Sequence, residues 1–288
     1  MAPAIRCDFG TTLKMFEALS LFSACYAAGG LCIVSMVSGT WASPWMYASA
    51  FTMAWYVYLL HRVRIAHRGG ASVTARATML EQHSGLVRVL LWSTGLAAIA
   101  TALLANPWLL LLLAGSIIGM LFYGSGPDGR RIRDMLLIKN ACVGISMSLF
   151  WLLLLIMHDP DVLQHAGLLL AIGISMFFMV LGDAMYCDLC DVEVDERTRS
   201  RTVPLRWGAG STRWIADACI LLAAMVLVLA PQSVHDGAWP WIMVPVLLLL
   251  LQVGLHAVEA SLVRVAVDAR LLLVVLVWGS TELFSSMT

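Results

Sequence analysis

Long runs of Leu, Ile, Val, Met and Phe, broken by short polar stretches, make up almost the whole chain. About 20 predominantly apolar residues suffice to cross the hydrocarbon core of a bilayer. Nine segments qualify, approximately 15–38, 44–61, 86–105, 107–123, 135–157, 162–186, 211–230, 238–256 and 268–285. Turn and charge signals separate them, among them Asn106-Pro107, Gly124 to Asp134, Asp159-Pro160 and Pro231 to Pro240. The predicted architecture is an all-α integral membrane protein of nine transmembrane helices, with residues 1–288 forming one domain and no stretch left for a soluble one. Composition agrees: 60% of the 288 residues are hydrophobic and 12% charged, against roughly a quarter charged in a soluble domain. The first run lacks the short apolar core and small-residue cleavage site of a signal peptide, so it reads as a retained span.

Net charge is zero, yet the 18 Lys and Arg are placed unevenly. Arg6 and Lys14 precede the first span. Arg62, Arg64, Arg68, Arg76 and Arg88 follow the second; Arg130, Arg131, Arg133 and Lys139 follow the fourth; Arg197, Arg199, Arg201, Arg206 and Arg213 follow the sixth; Arg264 and Arg270 follow the eighth. The alternate connections hold none. The positive-inside rule then predicts a cytoplasmic N-terminus and cytoplasmic charged loops, with the C-terminus on the opposite face.

The richest of these loops reads "DLCDVEVDERTRSRTVPLRWG", residues 188–208. Asp188, Asp191 and Asp195 recur at i, i+3 and i+7, which on one helix lie within about 60° of each other. Three carboxylates so placed repel unless a cation sits among them. Hard oxygen donors favour Mg²⁺, which typically takes one or two carboxylates together with phosphate oxygens of a substrate. The plainer reading is a solvated acidic helix end neutralised by the arginines that follow.

This stretch resembles the second aspartate motif of the UbiA superfamily of intramembrane prenyltransferases, D-x-x-D-x-x-x-D followed by Arg, Thr-x-Pro and Gly, here Asp188, Asp191, Asp195, Arg197, Thr202, Pro204 and Gly208. The connection "FYGSGPDGRRIRDMLLIKN" is likewise similar to the family's Tyr, Gly, Pro and basic run leading into a Lys. The resemblance implies a helical bundle with a cytoplasm-facing central cavity, in which magnesium binds an isoprenyl diphosphate. Ionisation of its carbon–oxygen bond passes the prenyl cation to an acceptor. It also implies metal and catalytic roles for Asp188, Asp191 and Asp195, and Arg131, Lys139, Arg197, Arg201, Tyr123 and Tyr186 are further substrate-binding candidates.

The family's first motif, N-x-x-x-D-x-x-x-D, falls on Val57, His61 and Ile65, so all three ligands are missing. Removing an Asp pair together with its ion changes the local charge little, and Arg62, Arg64 and His61 add positive charge there. Direct Arg–phosphate contacts are the expected replacement, although each arginine taken singly also fits the positive-inside rule.

Cys187 and Cys190 form a C-x-x-C without a second pair at zinc spacing, and the other cysteines suggest no disulfide framework. Glu17, Asp217, Glu259 and Glu282 fall in or near spans, where charge is costly. Trp41, Trp45, Trp108, Trp239 and Trp241 border the uncharged loops, as an interfacial aromatic belt does. Trp55, Tyr56, Tyr58, Phe122, Tyr123, Phe177, Phe178, Tyr186 and Trp207 lie toward the charged end, where aromatic faces can stabilise an allylic cation by about 2 kcal/mol. Helix packing is the default for any single ring.

The sequence therefore points to an Mg²⁺-dependent intramembrane transferase, with an isoprenyl diphosphate, the lipid bilayer and a lipophilic acceptor as partners. The alternatives are a UbiA-type terpene cyclase, in which the substrate's own double bond captures the cation, and a non-enzymatic membrane binder or transporter. Nothing resembles a nucleic-acid module.

Overall fold

A computed structural model describes residues 15–69, 75–123, 135–197, 200–230, 239–258 and 262–285. Its elements are helical: α1 (Leu21–Ser38), α2 (Pro44–Gly69), α3 (Ala75–Gln82), α4 (Ser84–Ala105), α5 (Leu109–Tyr123), α6 (Ile138–His158), α7 (Ala166–Cys190), α8 (Val192–Arg197), α9 (Val203–Leu229), α10 (Trp239–Leu255) and α11 (Val263–Ser285), with a 3-10 turn at Pro160–His165. Every apolar run of the sequence lies on one of the longer helices. Among the described residues, five stretches are long and apolar enough to cross a membrane: Leu21–Ser38, Ser84–Ala105, Ile138–His158, Pro160–Cys190 and Val203–Leu229. Leu109–Tyr123 and Met243–Leu255 are shorter apolar helices.

The breaks are made by identifiable chemistry. Asn106 ends α4, its side-chain oxygen accepting from the Trp108 N–H at 3.1 Å while its amide donates to the Met157 carbonyl at 2.8 Å, so the α4–α5 turn is tied to the end of α6. Ser43 accepts from the Met46 N–H at 3.3 Å ahead of Pro44, a side-chain cap followed by a proline preset for the first helical turn. α2 then continues well beyond the expected end near residue 61, because nothing in "HRVRIAHR" breaks a helix.

α1 packs against α2 and α11, and α7 against α6 and α9. At the centre, Trp151 of α6 is fully buried and donates its indole N–H to the Ala27 carbonyl of α1 at 2.8 Å. Gly30 makes that approach possible, since a Cβ there would lie 2.1 Å from the Trp151 ring. Small residues let helices approach closely where lipid offers no hydrophobic drive to pack. α4 buries only Val87, Thr94, Ala98 and Ala102 and turns Leu96, Leu103 and Trp92 outward. Apolar on every side, such a helix suits a bilayer and not water.

Trp41, Trp45 and Trp108 are exposed beside the uncharged connections, where the belt reading puts them. Phe122 and Trp207, candidates for a cavity wall, are exposed instead. Trp55 donates its indole N–H to the Leu19 carbonyl at 2.9 Å.

Candidate active site

α7 does not carry the acidic motif as one unbroken helix. It stops at Cys190; Asp191 caps it with φ −107° and ψ 7°, and the chain restarts as α8. The Asp191 N–H donates to the Asp188 carbonyl at 3.1 Å, and the Asp195 N–H to the Asp191 carbonyl at 2.8 Å. The turn sends the carboxylates to different partners. Asp188, 3% exposed, accepts from Lys139 Nζ at 2.5 Å and from the Asn140 amide at 3.0 Å, both at the start of α6. Lys139 Nζ also lies 3.9 Å from Asp195. Burial pushes the Asp195 carboxyl up to about 6, against the downward pull of Lys139, and Asp188 and Asp191 add to the rise.

Asp191 is turned instead toward α11. Its Oδ2 lies 2.6 Å from Nη2 of Arg264, which also donates to the Cys187 carbonyl at 3.1 Å. Nε of Arg264 stands 3.6 Å from the carboxylate of Glu17, just ahead of α1. Asp191 and Glu17 thus offset the guanidinium charge from two sides. Arg62 of α2 donates to the Glu17 carbonyl. Asp268, one turn along α11 from Arg264, accepts from the Ser23 hydroxyl at 3.5 Å and lies within electrostatic reach of both Arg264 and Arg62.

A second polar chain runs through the adjoining layer of the bundle. Asp183 of α7 accepts from the Tyr26 hydroxyl at 2.7 Å and from Arg270, which is 1% exposed. Arg270 donates to Gln252 Oε1 at 2.7 Å, and Gln252 in turn to Asp217 at 2.5 Å. Asp217 also receives the Tyr186 hydroxyl at 2.8 Å and stands 3.1 Å from His256 Nε2. Charges buried among apolar helices persist when paired and hydrogen-bonded, and this chain pairs its charges, leaving Nε of Arg270 as the donor without an acceptor.

Of the residues singled out from sequence, the structure gathers Asp188, Asp191, Asp195 and Lys139. It turns Tyr186 away, into the Asp217 cluster. His61 of α2 and Tyr123 of α5 face each other with ring centroids 5.9 Å apart. Arg64 is half-buried on α2, and Arg201 is exposed between α8 and α9. Arg131, the rest of the Gly124–Asp134 connection and the Arg197 side chain lie outside the described residues. Cys187 and Cys190 are free. Asn140, Arg264 and Asp268 were missed. Asp268 and Arg264 flank the start of an apolar run, where sparse charge is itself a signal. The motif's Gly208 has φ 82° and ψ 162° inside α9, a conformation open essentially to glycine, which accounts for that residue in the motif.

The family model for UbiA prenyltransferases matches residues 83–276. The chain belongs to the UbiA prenyltransferase family. Solved UbiA structures share its fold. A UbiA homologue from Aeropyrum pernix in its apo form superposes with TM-score 0.60 at 14% identity, covering 90% of this chain and 97% of its own. A UbiA homologue from Archaeoglobus fulgidus, solved with GPP and Mg²⁺, gives 0.59 at 14% identity over 91% and 99%. The same protein with DMAPP and Mg²⁺ gives 0.59 at 13% over 91% and 98%. Curated proteins provide no sequence match. The UbiA match begins beyond residues 57–65, where the first acidic motif is missing.

The residues present fit a magnesium ion, the ion in the Archaeoglobus fulgidus structures. The donors at the end of α7 are hard carboxylate oxygens. Among the described residues no three acidic, His or Cys side chains converge on one point. The turn at Asp191 separates its carboxylate from the pair that shares Lys139, and magnesium needs only one or two carboxylates when phosphate oxygens complete its shell, so either Asp191 alone or the pair Asp188 and Asp195 would hold the ion.

Proposed function

We propose that this UbiA protein is an intramembrane, magnesium-dependent enzyme that ionises an isoprenyl diphosphate and transfers the prenyl cation to a lipophilic acceptor. The observation that carries the reading is the polar cluster of Asp188, Asp191 and Asp195 with Lys139, Asn140 and Arg264, on the fold of relatives solved with prenyl diphosphates and Mg²⁺. Bound magnesium would supply electrostatic stabilisation of charge developing on the leaving diphosphate. The chain's own groups do the rest. Lys139 and Arg264 present fixed positive charge toward the leaving group, which needs no reorganisation as the carbon–oxygen bond breaks. Asn140 and Lys139 orient Asp188. The apolar interior keeps water from the allylic cation.

One observation favours a second reading, a terpene cyclase. The segment that carries the first motif in the family has Val57 and Ile65 in place of its ligands, and the family match starts only after it. A pocket remodelled there suits capture of the cation by the substrate's own double bond. Purified protein given prenyl diphosphates of several lengths and Mg²⁺ without acceptor separates the two. Diphosphate release only on addition of an acceptor is the expected result; cyclic hydrocarbons or terpene alcohols would select the cyclase. No turnover with or without acceptors would overturn the enzyme reading.

We further propose that all nine long helices span the bilayer, with the acidic motif and the N-terminus cytoplasmic. A cysteine introduced at position 236 should react with an impermeant thiol reagent from the non-cytoplasmic face, and one at position 201 from the cytoplasm. Labelling of 236 from the cytoplasm alone would refute this topology.

A further inference from the structure

We infer that Arg264 is a built-in cation of the diphosphate site, which neutralises Asp191 while the site is empty of substrate and becomes a diphosphate ligand when substrate arrives. The inference rests on the proposed function and names the group that stands in for the missing first acidic motif.

Three observations support it. The guanidinium, its side chain 12% exposed, is joined to three residues at once: Asp191 at 2.6 Å, the Cys187 carbonyl at 3.1 Å, and Glu17 at 3.6 Å. Its Nε is buried with no hydrogen-bond acceptor, only the Glu17 carboxylate at 3.6 Å, so its five-donor fork is not fully satisfied. Second, Arg62, the replacement expected on α2, is bonded to the Glu17 carbonyl. Arg62 and Arg264 both act electrostatically on Asp268, so α2, which carries the vacant motif, and α11 each contribute a cation to this end of the bundle. Third, Asp191 sits on the turn between α7 and α8 and not within a packed helix. It is the carboxylate of the three with most freedom to change partner.

A carboxylate in so short a pair is contested by any cation that approaches it, and magnesium prefers to bring phosphate oxygens with it. A diphosphate presents more negative charge and matches the guanidinium fork in the bidentate manner that carboxylates do. Exchange of partners therefore leaves no charge uncompensated. Asp191 passes from guanidinium to metal, and Arg264 passes from carboxylate to diphosphate oxygen.

The test uses the full-length protein in detergent, with Mg²⁺ alone and inorganic pyrophosphate as probes, read by calorimetry. In Arg264→Gln, Mg²⁺ binding without pyrophosphate should tighten, since Asp191 has lost its competitor. Pyrophosphate binding at saturating Mg²⁺ should weaken about ten- to a hundredfold, the value of a lost charge-assisted bond. These opposite signs are the signature. A mere brace between α11 and α7 would weaken both together, and that result, or no change in either, overturns the inference. Arg264→Lys keeps the charge and loses the fork, so it should leave Mg²⁺ binding near wild type and give intermediate pyrophosphate affinity. If Arg264→Gln does not fold, Asp191→Asn answers instead. It releases Arg264, so pyrophosphate binding without Mg²⁺ should tighten, and an unchanged affinity again overturns the idea. Failure of the wild type to bind pyrophosphate with Mg²⁺ would mark the loss of the proposed function itself, and the inference with it.

Discussion

Asp191→Asn should lower turnover by roughly 100- to 1000-fold, the range for removing one preorganised electrostatic group, while the protein stays folded. Asparagine preserves the shape of the helix cap but is a poor magnesium ligand and leaves the leaving group's charge undercompensated. The side chain is 24% exposed and sits on a turn, and Arg264 keeps Glu17 at 3.6 Å and the Cys187 carbonyl at 3.1 Å, so its loss should cost less stability than a fully orphaned charge would. Measured turnover of a prenyl diphosphate, set beside the thermal midpoint of the same preparation, separates the two effects. Near-normal turnover would reduce the acidic motif to a solvated helix end.

The second large effect lies away from the site. Arg270→Met should destabilise the protein by about 3–5 kcal/mol, because it leaves the Asp183 carboxylate buried without its cation. Combining it with Asp183→Asn should recover most of that loss, since removing both charges is far cheaper than removing one. Thermal unfolding in detergent of the two single variants and the double variant gives the comparison. Additive losses would mean that the two residues act separately, against the geometry.

Much of the fold was legible because a bilayer imposes a simple length rule on apolar runs, and Asn106 and Pro160 mark breaks that the structure keeps. Helix ends that carry charge were less so. α2 runs on to Gly69 because its arginines can lie along a helix as readily as in a loop. In the site, the residue types of the acidic motif and Lys139 were readable from spacing and resemblance. The turn at Asp191 was not, since i, i+3, i+7 spacing describes an unbroken helix equally well. Arg264 was placed with the loop charges and Arg62 with the diphosphate, because partner choice depends on which helices adjoin, and α1, α7 and α11 meet only in the folded bundle. Asp183 and Arg270 gave the clearest overlooked signal, as single charges embedded in apolar sequence.

The pairing of Asp183 with Arg270 also sets a condition on how the protein is made. Asp183 leaves the ribosome with α7, whereas its cation belongs to α11, the last helix described. Until α11 arrives, α7 carries a carboxyl that lipid cannot satisfy. The early helices therefore have reason to linger beside the insertion machinery, or against one another, before release. Completion of the bundle then waits on the last described helix, and a chain cut short before α11 leaves an acid without its cation in the second half of its sixth long helix.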